Sequence, residues 1–153
     1  MITDYPSTAL ISTIRTNVEK NLKPSANYHV SVEPYKWGDI DVYLGRFTRV
    51  AASDCLWKAD EHENLVKSML HVLSENETDG PRVWVVAGFH TGRSIVKDFL
   101  DTAERRGLAI EKIWERNSKT GEERDWARER AGEGVGERKV WCVIAILKRV
   151  ERH

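Results

Sequence analysis

Apolar residues recur along this chain in two alternating periods. Leu10, Ile14 and Val18 return every four residues, which predicts a helix over 8–21 with Ser7 as its N-cap behind Pro6. Short β-type runs follow over 29–33 and 47–53. A second helical period covers 60–73, with Leu65, Met69, Val72 and Leu73 on one face; Asp60 and Glu63 have the spacing of a capping box at its start. Asp79, Gly80 and Pro81 make a turn. The nearly continuous apolar run from Arg82 to Gly88 predicts a central strand covered on both faces. A third helix runs from a Thr91 cap to Arg106. It turns Ile95, Val96, Phe99, Leu100 and Ala103 inward and stops at Gly107.

Beyond Gly107 the alternation breaks. Strands are predicted over 109–115 and 139–148 with no helix between them, so they should pair antiparallel. The intervening stretch 117–137 is highly charged and carries Gly121, Gly132, Gly134 and Gly136; it reads as a mobile excursion with a helical turn near Trp126. The order predicts an α/β fold: a mostly parallel sheet ending in an antiparallel β-hairpin. At 153 residues the chain suits one domain, 1–153.

Charge narrows the function classes. Lys plus Arg and Asp plus Glu are 24 each, so the formal net charge is zero, which argues against nucleic acid or an anionic membrane as partner. Cys55 and Cys142 read as free buried thiols in a reducing compartment. No apolar run approaches the roughly 18 residues of a membrane span, and the opening residues lack the basic-then-apolar pattern of a signal peptide. The expectation is a cytoplasmic protein; oligomeric state has no sequence signal.

Several residues stand where such folds do chemistry. Asp4, at the end of a strand stump over 1–3, is placed either to bind ribose hydroxyls or to cap the helix that follows. Trp37, beside Gly38 and Asp39, can pack on an adenine ring or tuck against the core. Asp54 closes the 47–53 strand, where open sheets hold ligands. It can orient an amine or accept its proton, while Trp57 walls a pocket; capping the next helix is the alternative. His90 follows the Arg82 to Gly88 strand at the same sheet edge. His29, His62, His71 and His153 show no metal-ligand spacing with a carboxylate or thiolate, so no metal site is expected. Gly132, Gly134 and Gly136 have the spacing of a phosphate loop. They lack the strand before and the helix after that would supply free N–H groups, and they read as a hairpin loop.

Taken in order, these pieces resemble the class I S-adenosylmethionine-dependent methyltransferases. The narrower resemblance is to the fungal branch of the seven-β-strand lysine and N-terminal protein methyltransferases, a group also described as nicotinamide N-methyltransferase-like. The matching runs are Thr3-Asp4-Tyr5-Pro6, Asn17 and Asn21, Trp37-Gly38-Asp39, Ala51-Ala52-Ser53-Asp54-Cys55-Leu56-Trp57, His62-Glu63-Asn64-Leu65, Val85-Val86-Ala87-Gly88-Phe89-His90, and the closing strand Trp141 to Leu147. The resemblance implies a Rossmann-like sheet and S-adenosyl-L-methionine as cofactor. By it Asp4 binds the ribose, Trp37 packs near the adenine and Ser53 lines the methionine side. Asp54 with Trp57 faces the methyl acceptor, which is a protein lysine, a protein N-terminus or a small amine such as nicotinamide, and Trp57 and His90 border its pocket. Members of the family begin with a first strand and a glycine-rich turn that this sequence does not contain. That difference predicts a truncated domain with weakened cofactor binding and impaired transfer. The alternative it raises is a non-catalytic methyltransferase-like protein that binds a partner.

Overall fold

The structure is a computed structural model that describes residues 1–23, 29–76, 78 and 80–150. Asp79 of the expected turn and His153 lie outside those residues. The chain forms two compact units, Met1–Asp39 and Ile40–His153.

The first unit is a strand, a helix and a strand. β1 (Ile2–Asp4) and β2 (Val32–Pro34) pair in parallel, with Asp4 opposite Pro34, and α1 (Thr8–Asn21) links them. The buried member of α1 is Ile11, which joins Ile14 and Val18 on the inward face, whereas Leu10 is exposed. Ser7 is the N-cap by backbone position, but its hydroxyl makes no capping bond. The β2 strand is displaced toward Pro34 relative to the predicted 29–33, because pairing with β1 fixes its register.

The second unit is a five-stranded sheet with helices. Its elements are β3 (Arg49–Ser53), a 3₁₀ turn (Ala59–Glu61), α2 (His62–Val72), β4 (Arg82–Gly88), α3 (Arg93–Arg106), β5 (Leu108–Asn117), β6 (Glu123–Asp125), α4 (Val135–Arg138) and β7 (Trp141–Arg149). The strand order is β3-β4-β7-β5-β6. β3 and β4 are parallel; β7 is antiparallel to both β4 and β5, and β6 is antiparallel to β5. The α/β class and the antiparallel terminal strands are as the periodicity predicts. β7 earns its internal position through strict alternation: Val143, Ala145 and Leu147 are buried on one face, as are Val83, Val85 and Ala87 of β4.

Several local expectations are corrected. β4 is not covered on both faces: Trp84 and Val86 are 40% and 36% exposed, so the apolar run hides a one-sided strand. Asp60 and Glu63 form no capping box. Asp60 pairs with Lys58 at 2.8 Å, and Glu63 pairs with Arg105 and Arg106 of α3. The cap of α3 is Gly92, with φ 103°, rather than Thr91, because the tight turn after β4 needs a left-handed residue there.

The charged stretch after β5 also differs from a loop with a helical turn near Trp126. It contains β6, and it folds back over Glu115. That carboxylate is fully buried, and it accepts bonds from Arg93 Nη1 at 2.6 Å, Arg93 Nη2 at 2.9 Å, Arg124 Nε at 2.7 Å and the Ala127 N–H at 3.2 Å. Glu133 accepts from Arg93 Nε at 2.6 Å, Arg93 Nη2 at 2.7 Å and Arg124 Nη2 at 2.8 Å. Burial alone would raise the Glu115 pKa. The hydrogen bonds from Arg93, Arg124 and Ala127, with the charge of Arg93, outweigh it and hold the carboxyl down to about 2.

Candidate active site

The carboxyl ends of β3 and β4 lie side by side, because Ser53 is in register with Val86. One residue further, the Asp54 N–H donates to the Val86 carbonyl at 2.7 Å. Asp54 then takes φ 54°, a left-handed conformation that Asp tolerates better than most residues and that turns the chain out of the sheet. Its side chain is exposed, as is that of Ser53. Leu56 is buried and anchors the turn, and Trp57 projects with 57% of its surface exposed. A buried histidine fixes this geometry from below. His62 is at the start of α2 and sits edge-on to Phe99 at 5.5 Å; its Nε2 lies 2.8 Å from the Leu56 carbonyl oxygen. A carbonyl can only accept, so Nε2 carries the proton.

β4 ends at Gly88, and Phe89 and His90 follow it. Phe89 is buried, stacks on Trp126 at 5.9 Å and carries the Arg93 guanidinium 4.1 Å above its ring. His90 stands exposed on this base, with its ring folded toward Gly88: a Cβ on Gly88 would meet His90 Nδ1 at 3.0 Å. Two adjoining cavities open beside it. The smaller, about 200 Å³, is lined by Phe89, His90, Thr91, Gly92, Val135, Arg138 and Lys139. The larger, about 350 Å³, shares Gly92 and Arg138 and continues along Lys97, Arg128, Glu129 and Glu133, so it carries both signs of charge.

This edge therefore brings together Ser53, Asp54, Trp57 and His90. An exposed carboxylate at such an edge can orient an ammonium group and take its proton, and an exposed indole face attracts the same cation. Within the first unit the structure brings together Asp4 and Trp37. Asp4 closes β1, and its Oδ1 accepts the Tyr5 N–H at 2.7 Å, which leaves the rest of an exposed carboxylate for other donors. Trp37 follows β2 and is half-buried in a turn closed by the Asp39 N–H to the Lys36 carbonyl at 3.1 Å and by the Tyr35 hydroxyl to the Asp39 carbonyl at 2.6 Å. A carboxylate of this kind can bond vicinal hydroxyls, and an aromatic face can pack on a base.

Three contributors were not identified from the pattern. His62 lay within a quoted run but carried no assigned role. The Arg93 guanidinium lies over Phe89 and Gly88 leaves room for the His90 ring, yet sequence spacing gives no sign of either relationship. The Gly132 to Gly136 run holds no phosphate-loop geometry, since Gly134 caps only the single turn of α4. Among the described residues no cluster of His, Cys, Asp or Glu could hold a metal ion, and no helix is long and apolar enough to cross a membrane.

A family model described as lysine methyltransferase matches residues 1–106, a span that contains Asp4, Trp37, Ser53, Asp54, Trp57 and His90. The chain belongs to that family. Within the lysine methyltransferase family, the chain is 28% identical over 122 residues to the protein N-terminal and lysine N-methyltransferase EFM7 of Candida glabrata, which covers 74% of this chain and 46% of the relative. It is 31% identical over 125 residues to the protein of the same name from Eremothecium gossypii, covering 72% of this chain and 46% of the relative. This chain thus spans about half the length of the curated relatives it matches. The fold is similar to the crystal structure of a SAM-dependent methyltransferase from Methanosarcina mazei, with a TM-score of 0.67 at 9% identity over 98% of this chain and 81% of that one. The family match ends at Arg106, so Glu115, Arg124 and Glu133 of the ion cluster lie beyond it, while Arg93 lies within it.

Proposed function

We propose that this lysine methyltransferase family member transfers a methyl group to an amine, with S-adenosyl-L-methionine as donor and a protein lysine or N-terminal amine as acceptor. The observation that carries the reading is the Asp54 turn. A left-handed residue pinned to Val86 holds an exposed carboxylate beside Trp57, inside the stretch shared with the family. When bound, S-adenosylmethionine supplies a methyl group on a positive sulfonium. Asp54 orients the incoming amine and takes the proton that it must lose before its lone pair can attack. Trp57 presents an aromatic face to the cation, and Ser53 offers a hydroxyl beside Asp54. His90 borders the acceptor. Asp4 would hold the ribose hydroxyls and Trp37 the adenine. A small molecule such as nicotinamide is the other acceptor class; its ring nitrogen already has a free lone pair, so there Asp54 would orient the acceptor and take no proton.

The test is transfer of tritiated methyl from S-adenosylmethionine to a lysine peptide, a free N-terminal peptide and nicotinamide, with calorimetry of cofactor binding alongside. Transfer to either peptide supports the proposal. No binding heat at millimolar cofactor would end it. One observation favours a second reading, a non-catalytic partner-binding protein. β1 pairs only with β2, and β3 only with β4, so each keeps a free edge among the described residues that could accept an extended strand.

A further inference from the structure

We infer that the cavity beside His90 binds a carboxylate of the acceptor protein, so that the enzyme selects an amine that has an acidic group close by in sequence. This rests on the amine methyltransferase reading and adds the acceptor's chemistry to it.

Arg138 carries the argument. It is half-buried, and its guanidinium makes no hydrogen bond or ion pair among the described residues; its Nε is shielded from water with no partner. The other arginines around it are engaged. Arg93 is divided between Glu115 and Glu133, Arg124 bonds Glu115, Glu133 and Glu137, and Arg128 pairs with Asp101 at 2.8 Å. A half-buried guanidinium with unused donors calls for an anionic partner. The lining of the smaller cavity says which sign of group it takes. Arg138 and Lys139 are its charged members, His90 and Thr91 its other polar side chains, and no carboxylate lines it. Its volume of about 200 Å³ admits an Asp or Glu side chain or a terminal carboxylate, and is too small for a folded segment.

Position ties this cavity to the acceptor. His90 lines it and stands at the sheet edge that carries Asp54. A peptide whose amine reaches that edge has the cavity on the same side of the sheet end, so the carboxylate it offers belongs near the amine in sequence. Two cations beside an amine site also discriminate. An acceptor that brings only its own positive charge meets repulsion, and one that brings a carboxylate neutralises it.

The experiment uses the whole chain and short fluorescent peptides with one lysine, amidated at the C-terminus, with Glu or Gln at each nearby position. A further peptide carries Gln and a free C-terminal carboxylate. Fluorescence anisotropy should show at least about tenfold tighter binding for one Glu peptide, or for the free-carboxylate peptide, than for its uncharged counterpart. The preference should vanish in Arg138→Gln with Lys139→Gln and weaken with added salt. Equal affinity for Glu and Gln peptides, or a preference that survives the double substitution in a protein of unchanged thermal midpoint, overturns the inference. Methyl transfer is read on the same peptides. A carboxylate preference without transfer upholds the cavity's ligand and rejects the enzymatic reading; transfer that is indifferent to the carboxylate does the reverse.

Discussion

The imidazole of His62 donates its Nε2 proton to the carbonyl oxygen of Leu56 across 2.8 Å, and so ties the turn that bears Asp54 and Trp57 to the first residue of α2. Both partners are buried. His62→Phe keeps an aromatic ring against Phe99 and leaves the carbonyl without a donor. The expected loss is about 1–3 kcal/mol, measured by urea unfolding. Methyl transfer should fall about tenfold or more, since small displacements of a positioning turn are costly. Unchanged stability and rate would remove this bond from the account of the site.

Asp54 separates backbone from chemistry. Asn tolerates the left-handed conformation as well as Asp does, so Asp54→Asn should keep its thermal midpoint within about 2 °C while transfer falls about a hundredfold or more. Asp54→Val keeps neither: its β-branched side chain at φ 54° adds a cost of about 1–2 kcal/mol. If the Asn variant transfers methyl at the original rate, Asp54 is a turn residue only.

Gly88 and His90 form a testable couple. Gly88→Ala places a Cβ 3.0 Å from His90 Nδ1, and the imidazole must move away. The expected result is a several-fold higher KM for the acceptor with little change in stability. In a His90→Ala background the same change should do nothing further, because the atom it displaces is gone. Additive effects in the four-variant cycle would mean that Gly88 acts through the backbone instead.

The Glu115 carboxyl makes stability depend on acid. Its pKa is about 2 in the folded chain against an ordinary 4.5, so its contribution is complete above the ordinary value and is lost as pH falls from there toward 2. The full difference is about 3 kcal/mol. Glu133 is shifted in the same direction, with the Arg93 hydrogen bond as the leading cause, and it adds to the slope. Urea midpoints should be flat from pH 7 to 5 and fall below it. Glu115→Gln should unfold more easily at pH 7, because Arg93 and Arg124 lose a buried counter-charge, and it should show a shallower fall.

Much of the fold was legible because it is written in periods. The α3 interior of Val96, Phe99, Leu100 and Ala103 is all buried, and the antiparallel terminal strands follow from the lack of a long helical period between them. Burial on the second face of β4 was not legible, since Trp84 and Val86 are as apolar as Val83 and Val85 and only tertiary packing decides which are covered. The segment after β5 was misread for a related reason. Its charges read as a solvated excursion, yet Glu133 finds Arg93, 40 positions away in sequence, and Arg124 turns back onto the buried Glu115. The same pattern puts Asp4, Trp37, Ser53, Asp54, Trp57 and His90 at or just beyond strand ends, and that is where the structure has them. The supports beneath them, His62 and Gly88, depend on contacts that a one-dimensional pattern does not display.

β7 lies between β4 and β5, although both are made before it. On the ribosome, β4 and β5 emerge with their facing edges open, and neither can close on its proper neighbour until residues 141–149 leave the exit tunnel. The middle of this sheet is therefore the last part to be delivered. At about 5–20 residues per second the nascent chain carries two unsatisfied strand edges for several seconds. Occupancy by a chaperone, or mispairing with another nascent chain, is decided in that interval.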